Sequence, residues 1–219
     1  MHKTVQNLIN IKNEIKTKLI DLNLNYHPNI IAVSKTFSIQ NINPLIEYGH
    51  IHFGENKVQE AVNKWSEIKE KNNQIILHMV GKLQTNKVKY AVKLFDYIHS
   101  LDNLKLAKKI SDEQKKYEKK PKLFIQINLG NEEQKSGITL NKFEEFYNYC
   151  KKIELNIVGL MCLPPENQDS NFYFSELQKI TKEFQFDDTS MGMSSDYINA
   201  IKFRSTFLRI GSKIFGART

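Results

Sequence analysis

At 219 residues the chain is long enough for one sizeable core, and it is read as a single domain over 1–219. Its 40% hydrophobic and 11% aromatic content suits a water-soluble globular fold, and no apolar run approaches the roughly 20 residues of a membrane span. The formal charge of +8 comes from lysines scattered over helix-like stretches, such as Lys105, Lys108, Lys109, Lys115 and Lys116, which reads as a solvated basic surface in preference to a nucleic-acid face.

The first element is an amphipathic helix. Val5, Leu8, Ile9, Ile15, Leu19 and Leu22 recur at mostly helical spacing, and the pattern ends near Asn23-Leu24-Asn25. The residues before it lack the apolar stretch and small-residue cleavage site of a signal peptide, so a cytoplasmic location is expected. Ile30-Ile31-Ala32-Val33-Ser34 then reads as a buried parallel strand, bounded by Pro28 and by Lys35-Thr36, and a helix with Pro44 near its start follows.

The unit repeats along the chain. Strands are predicted at Ile51-His52-Phe53, Ile75 to Val80, Tyr97-Ile98-His99, Leu123 to Asn128, Ile157 to Met161, Thr189-Ser190-Met191 and Phe207 to Ile210, separated by helical segments. Eight strands alternating with helices predict an α/β fold, a single (β/α)8 barrel (TIM barrel) with an N-terminal helix and no second domain. An open doubly wound sheet is the competing architecture, but the first strand runs into Ser34-Lys35-Thr36-Phe37 without the glycines of a dinucleotide fingerprint.

Active groups of a parallel barrel gather where its strands end. Lys35 directly follows an apolar strand, where partial desolvation favours the neutral amine that adds to a carbonyl; the same residue also reads as a strand cap pointing to solvent. Strands seven and eight end in small, donor-rich turns, Met191-Gly192-Met193-Ser194-Ser195-Asp196 and Ile210-Gly211-Ser212, at the places where barrels often hold a phosphate. The serines of the first turn are read at a helix N-cap, and its glycine as one that permits close backbone approach. Arg209 on strand eight faces the barrel mouth by alternation, either beside a ring nitrogen or paired with a barrel carboxylate. Asn56, after strand two, is either a ligand contact or a helix cap.

Two cysteines, Cys150 and Cys162, are too few for a disulfide framework and lack metal-ligand spacing with a histidine pair, so no metal is expected. Cys162 ends strand six and invites a nucleophile reading, but packing at the barrel mouth is preferred because no His-Asn/Asp constellation accompanies it. A class I aldolase is disfavoured, since the strand-six candidate contains no lysine.

Several segments taken in order carry a resemblance. Ala32 to Thr36 (AVSKT), Phe53 to Glu60 (FGENKVQE), His78 to Lys87 (HMVGKLQTNK), Lys135-Ser136-Gly137, Gly159-Leu160-Met161, Ser190 to Asp196 (SMGMSSD) and Arg209 to Arg218 (RIGSKIFGAR) resemble the pyridoxal 5′-phosphate (PLP) homeostasis family over nearly the whole chain. The resemblance implies a fold-type III PLP barrel, similar to the N-terminal domain of alanine racemase, that binds and buffers the vitamin B6 cofactor without established turnover. It makes Lys35 the Schiff-base lysine, Asn56 a ring-side contact and Arg209 the neighbour of the pyridine nitrogen. Ser194, Gly211 and Ser212 become the phosphate cradle, with Met193 packing nearby.

The resemblance assigns no catalytic residue, implies apo PLP-dependent enzymes as recipients of the cofactor, and, because racemases take an acid–base group from a second domain across a dimer interface, implies a monomer or weak dimer. A racemase-like enzyme and a basic RNA-binding protein are the competing functions. One departure stands out: Arg204-Ser205-Thr206 occupies the turn where the family usually reads Gly-Ser-Thr, and a positive φ there would cost arginine about 1 kcal/mol. Lys82 is assigned no role.

Overall fold

Eight strands, β1 (Asn29–Val33), β2 (His52–Glu55), β3 (Ile76–Met79), β4 (Tyr97–Leu101), β5 (Lys122–Ile127), β6 (Ile157–Cys162), β7 (Asp188–Met193) and β8 (Phe207–Ile210), pair in parallel and in sequence order in the computed structural model. The ring closes through β1 and β8, with Ile31 beside Arg209 and Ala32 beside Ile210. All residues except Asn131, Glu133, Lys135, Arg218 and Thr219 are described. Lys135 and Arg218, both within the motifs quoted above, therefore lie outside the described residues.

Helix α1 (Lys3–Asp21) precedes the barrel and buries Val5, Leu8, Ile11, Ile15 and Leu19 along one face; Asn23 at φ 51° ends it in the left-handed region. The strands are then connected by α2 (Ile39–Glu47), α3 (Val58–Lys71), a 3₁₀ turn (Thr85–Lys87) with α4 (Val88–Leu94), α5 (Leu104–Tyr117), α6 (Leu140–Lys152), α7 (Ser170–Glu183) and α8 (Tyr197–Lys202), and α9 (Ser212–Phe215) follows β8. None of these helices is long and apolar enough to cross a membrane. Pro44 lies inside α2 and not near its start, because Ser38 opens that helix several residues earlier than the proline suggests. On α5, Lys108 and Lys109 pair with Asp112 and Glu113, and Lys115 with Glu154, so part of the basic surface is neutralised locally.

Strand alternation divides the apolar residues into two cores. One, between sheet and helices, contains Ile30, Ala32, Phe53, Trp65, Leu160 and Leu208 among many others. The second is enclosed by the strands and contains Ile31, Val33, Tyr97, Phe124, Met161 and Phe207. Two residues beyond Val33 the same inward face brings Lys35, and two beyond Phe207 it brings Arg209. The barrel is therefore filled at mid-height, with a cavity where its strands end.

Arg204 does adopt the left-handed conformation, at φ 57°. The turn it closes is at the lower end of the barrel, opposite the strand ends. There Ser205 Oγ donates to the Met191 carbonyl at 2.7 Å, and Thr206 Oγ1 accepts from the Thr189 amide at 2.9 Å, bracing β7 against β8.

Candidate functional site

At the C-terminal ends of the strands lies a cavity of about 640 Å³. It brings together all seven residues singled out from the sequence: Lys35, Asn56, Met193, Ser194, Arg209, Gly211 and Ser212. Lys35 is half-buried in its wall, so the solvent-facing strand cap is not what the fold builds.

The backbone on both sides of Lys35 is pinned by side chains from β2 and α3. Ser34 Oγ donates to Glu55 Oε1 at 2.7 Å, and the Ser34 carbonyl accepts from Lys64 Nζ at 3.0 Å. Trp65 Nε1 and Lys64 Nζ also donate to Glu55 Oε1, each at 3.0 Å. On the other side Thr36 stands at φ 68°, and its N–H donates to Glu60 Oε1 at 2.7 Å. Burial works against charge on Glu60, but the Thr36 amide and the Lys64 ammonium outweigh it and hold the carboxyl below its usual range. Such a lattice fixes where the Lys35 side chain leaves the barrel. None of this clamp was assigned from sequence, although Glu55 and Glu60 sit inside a quoted motif.

On β8, the strand paired with β1, Arg209 is 5% exposed. It donates to the Ser190 carbonyl and to Ser190 Oγ, both at 2.6 Å, and to the Cys162 carbonyl at 2.9 Å. Among the described residues no carboxylate is a hydrogen-bond partner of Arg209, so the carboxylate-pair alternative is not what these contacts build. Burial lowers its pKa from the ordinary value. Such a group keeps donors for a ligand while its own charge is met by carbonyl dipoles.

The turns after β7 and β8 are tied to each other. Ser194 Oγ accepts from the Gly211 amide at 3.2 Å and from the Lys213 amide at 3.5 Å, at or beyond the outer edge of ordinary N–H···O lengths. Weakly satisfied amides of this kind suit an anionic oxygen. A Cβ on Gly211 would stand 3.3 Å from the Val33 carbonyl, which shows how little room the cradle has. The serines do not cap α8 as expected: that helix begins only at Tyr197, and Asp196, its N-cap, instead accepts from the Met193 amide at 2.6 Å. Gly192, at φ +89°, does permit a close approach, but to α8, where a Cβ would meet Ala200 Cβ at 2.7 Å.

Asn56 does not cap α3 either, since Lys57 occupies that place. It lines the cavity and is seated on Gly81, where an added Cβ would lie 2.4 Å from the Asn56 carbonyl oxygen. Met193 forms part of the rim and is 37% exposed. Phe37, on the loop after β1, stacks on Phe215 at 4.9 Å and narrows the opening. Gln126 and Asn128 add polar side chains from the end of β5, and Lys82, assigned no role from sequence, lines the cavity too.

Cys162 packs inside the barrel wall, as the sequence reading preferred. Its thiol is buried and pushed up to about 12, and what it offers the site is its backbone carbonyl. β6 carries no lysine, as the aldolase argument required. Among the described residues no His/Cys/Asp/Glu group is arranged to hold a metal.

A closed parallel barrel with a lysine after β1, a buried arginine on β8 and paired small turns after β7 and β8 defines the alanine-racemase type of barrel, and residues 13–219 match the family described as alanine racemase, N-terminal domain. A pyridoxal phosphate homeostasis protein of Pasteurella multocida is 36% identical over 203 residues, 86% of each chain. PipY of Synechococcus elongatus PCC7942, solved with PLP bound, is 31% identical with a TM-score of 0.80, over 92% of this chain and all of that one. The chain belongs to the pyridoxal phosphate homeostasis protein family. Alanine racemase of Clostridium difficile 630, at 15% identity and a TM-score of 0.73, shares the fold over 99% of this chain and 57% of its own length.

Proposed function

We propose that this chain binds PLP in the upper cavity as a Schiff base on Lys35 and serves vitamin B6 homeostasis by holding and handing on the cofactor, without conventional turnover. The observation that carries this reading is the convergence, on one cavity, of the amine after β1, the buried guanidinium of β8 and the two amide-bearing turns. Lys35 would hold the cofactor through its aldehyde carbon, with water as the leaving product. Asn56 would contact the ring, Met193 would pack against it, and Ser194, Gly211 and Ser212 would hold the phosphate.

When bound, PLP supplies an electrophilic carbon conjugated to a ring that can accept electrons. Arg209 would limit that capacity, because a guanidinium donating to the ring nitrogen would leave it unprotonated. Among the described residues lining the cavity the ionisable side chains are Lys35, Lys82 and Arg209, with no tyrosine, histidine, cysteine or carboxylate to exchange an α-proton. This supports storage over racemisation. A monomeric, cytoplasmic protein with apo PLP-dependent enzymes as recipients completes the proposal, and nucleic acid is left out of it.

The test is a titration of the purified chain with PLP, followed by visible absorbance, and then incubation of the loaded chain with single-enantiomer amino acids. A saturable spectral change at one PLP per chain with unchanged amino-acid configuration is expected. Failure to saturate overturns the binding site, and sustained racemisation overturns the storage role.

A further inference from the structure

Below Arg209 the barrel interior holds a row of polar groups that the cavity does not use. Ser190 Oγ, which accepts from Arg209, lies 2.8 Å from His99 Nδ1. His99 Nε2 lies 2.9 Å from His78 Nδ1, and His78 Nε2 lies 2.9 Å from His52 Nδ1. The row passes from β7 through β4 and β3 to β2, ending at His52, which lines a second cavity at the lower end of the barrel beneath α1. The two inner rings are fully buried between aromatic faces: His78 stacks on Tyr97 at 4.6 Å and His99 on Phe124 at 4.4 Å.

We propose that His52, His78, His99 and Ser190 form a single-file relay of neutral imidazoles and a hydroxyl that positions Arg209, every hydrogen bond pointing away from the upper cavity. The consequence for PLP rests on the function proposed above, whereas the order of the hydrogens does not.

A neutral imidazole has one N–H and one bare nitrogen. Two ring nitrogens at 2.9 Å need one hydrogen between them: two would collide, and none would set lone pairs face to face. The choice at one link therefore fixes the next. Arg209 can only donate, so Ser190 Oγ accepts from it, and among the described residues His99 Nδ1 is the partner left for the hydroxyl hydrogen. His99 must then carry its hydrogen on Nε2 and donate to His78, which donates in the same way to His52. The reverse order would have Ser190 accept from both His99 and Arg209 and strand its own hydrogen in a buried site, at a cost of about 1–3 kcal/mol.

The surroundings keep the row uncharged. Burial lowers the pKa of all three rings, most strongly at His78 and His99. Arg209 opposes a charge on His99, and Lys69 and His50 oppose one on His78; Asp96, paired with Lys69, pulls His52 the other way. Lys12, on α1, faces His50 at the lower end and opposes charge there. Acid would therefore enter at His52, where a second N–H would confront that of His78.

Histidine-selective ¹⁵N NMR of the cofactor-free chain at neutral pH reads the hydrogen order directly. The expected result is the neutral Nε2–H form for all three rings; an Nδ1–H form or an imidazolium in any of them overturns the relay. Exchange of the Arg209 guanidinium hydrogens reads the positioning. His99→Phe keeps the stacking but removes the acceptor for Ser190, and is expected to speed that exchange and weaken PLP binding by about tenfold, the equivalent of 1.4 kcal/mol. His99→Asn, which offers an acceptor oxygen near the place of Nδ1, should restore part of both. A folded His99→Phe chain with unchanged Arg209 exchange overturns the positioning role, and should that variant not fold, His99→Leu, which also removes the acceptor, is read in the same way. If the unmutated chain binds no PLP, the function falls while the NMR and exchange results still decide the relay.

Discussion

Lys35 and Arg209 face one cavity from adjacent strands, β1 and β8, yet they are held in different ways. On the β1–β2 side the backbone flanking Lys35 is pinned by Glu55, Glu60 and Lys64, side chains that reach from the core to the barrel rim. On the β7–β8 side it is the charged head of Arg209 that is fixed, by two buried carbonyls and a serine. The difference matches the bonds proposed for each wall. A covalent link supplies its own length and angle, so its root needs placing, whereas a hydrogen-bond donor works only if its head group is already in place.

The largest expected effect breaks this symmetry of purpose outright. Lys35→Ala should lose the whole covalent adduct while the Arg209 wall stays folded, which equilibrium unfolding will register as near-unchanged stability. Next is Glu55→Gln, which removes the fully buried negative charge beside Lys64 while Glu60 and the Ser34 carbonyl still hold that ammonium; it should cost about 1–3 kcal/mol in urea unfolding, and shows how much the Lys35 wall depends on one carboxylate.

Acid sharpens the comparison from below the cavity. His50 and His52 titrate at about 4 in the folded chain because burial disfavours their charge, against 6.5 when unfolded. Between those values the unfolded chain binds protons that the folded chain refuses, so stability is lost as pH falls from 6.5 toward 4. The buried His50 alone contributes on the order of 3 kcal/mol to that loss. Unfolding free energies measured across this window should show the decline, with a shallower slope in His50→Phe.

Smaller effects probe the turns. Gly192→Ala places a Cβ 2.7 Å from Ala200 Cβ at a positive φ and should cost about 1–3 kcal/mol in the same assay, loosening the β7 turn without touching the Lys35 clamp. Arg204→Gly relieves the left-handed turn at the far end of β8 and should stabilise by at most about 1 kcal/mol, with PLP affinity unchanged.

How much of this was legible in the sequence follows from how local each signal is. The eight strands, Lys35 and the turns after β7 and β8 were readable, because strand period, turn residues and the strand-end rule for barrels are local patterns. Asn56, Ser194 and the partner of Arg209 were left between two readings, since a polar residue after a strand looks the same whether it caps a helix or lines a cavity. The clamp around Lys35 was missed because Lys64 and Trp65 meet Glu55 only once α3 folds back on β2. The histidine row was invisible for a similar reason: His52, His78 and His99 sit on three strands, and only barrel closure makes them neighbours.

The claim that a single amine at the barrel mouth carries the cofactor is tested most directly by borohydride reduction of the PLP-loaded chain and mass mapping of its peptides. One reduced pyridoxyl phosphate group on the peptide containing Lys35, absent from Lys35→Ala, is the predicted result. An adduct on Lys82 instead, or spread over surface lysines, would contradict it.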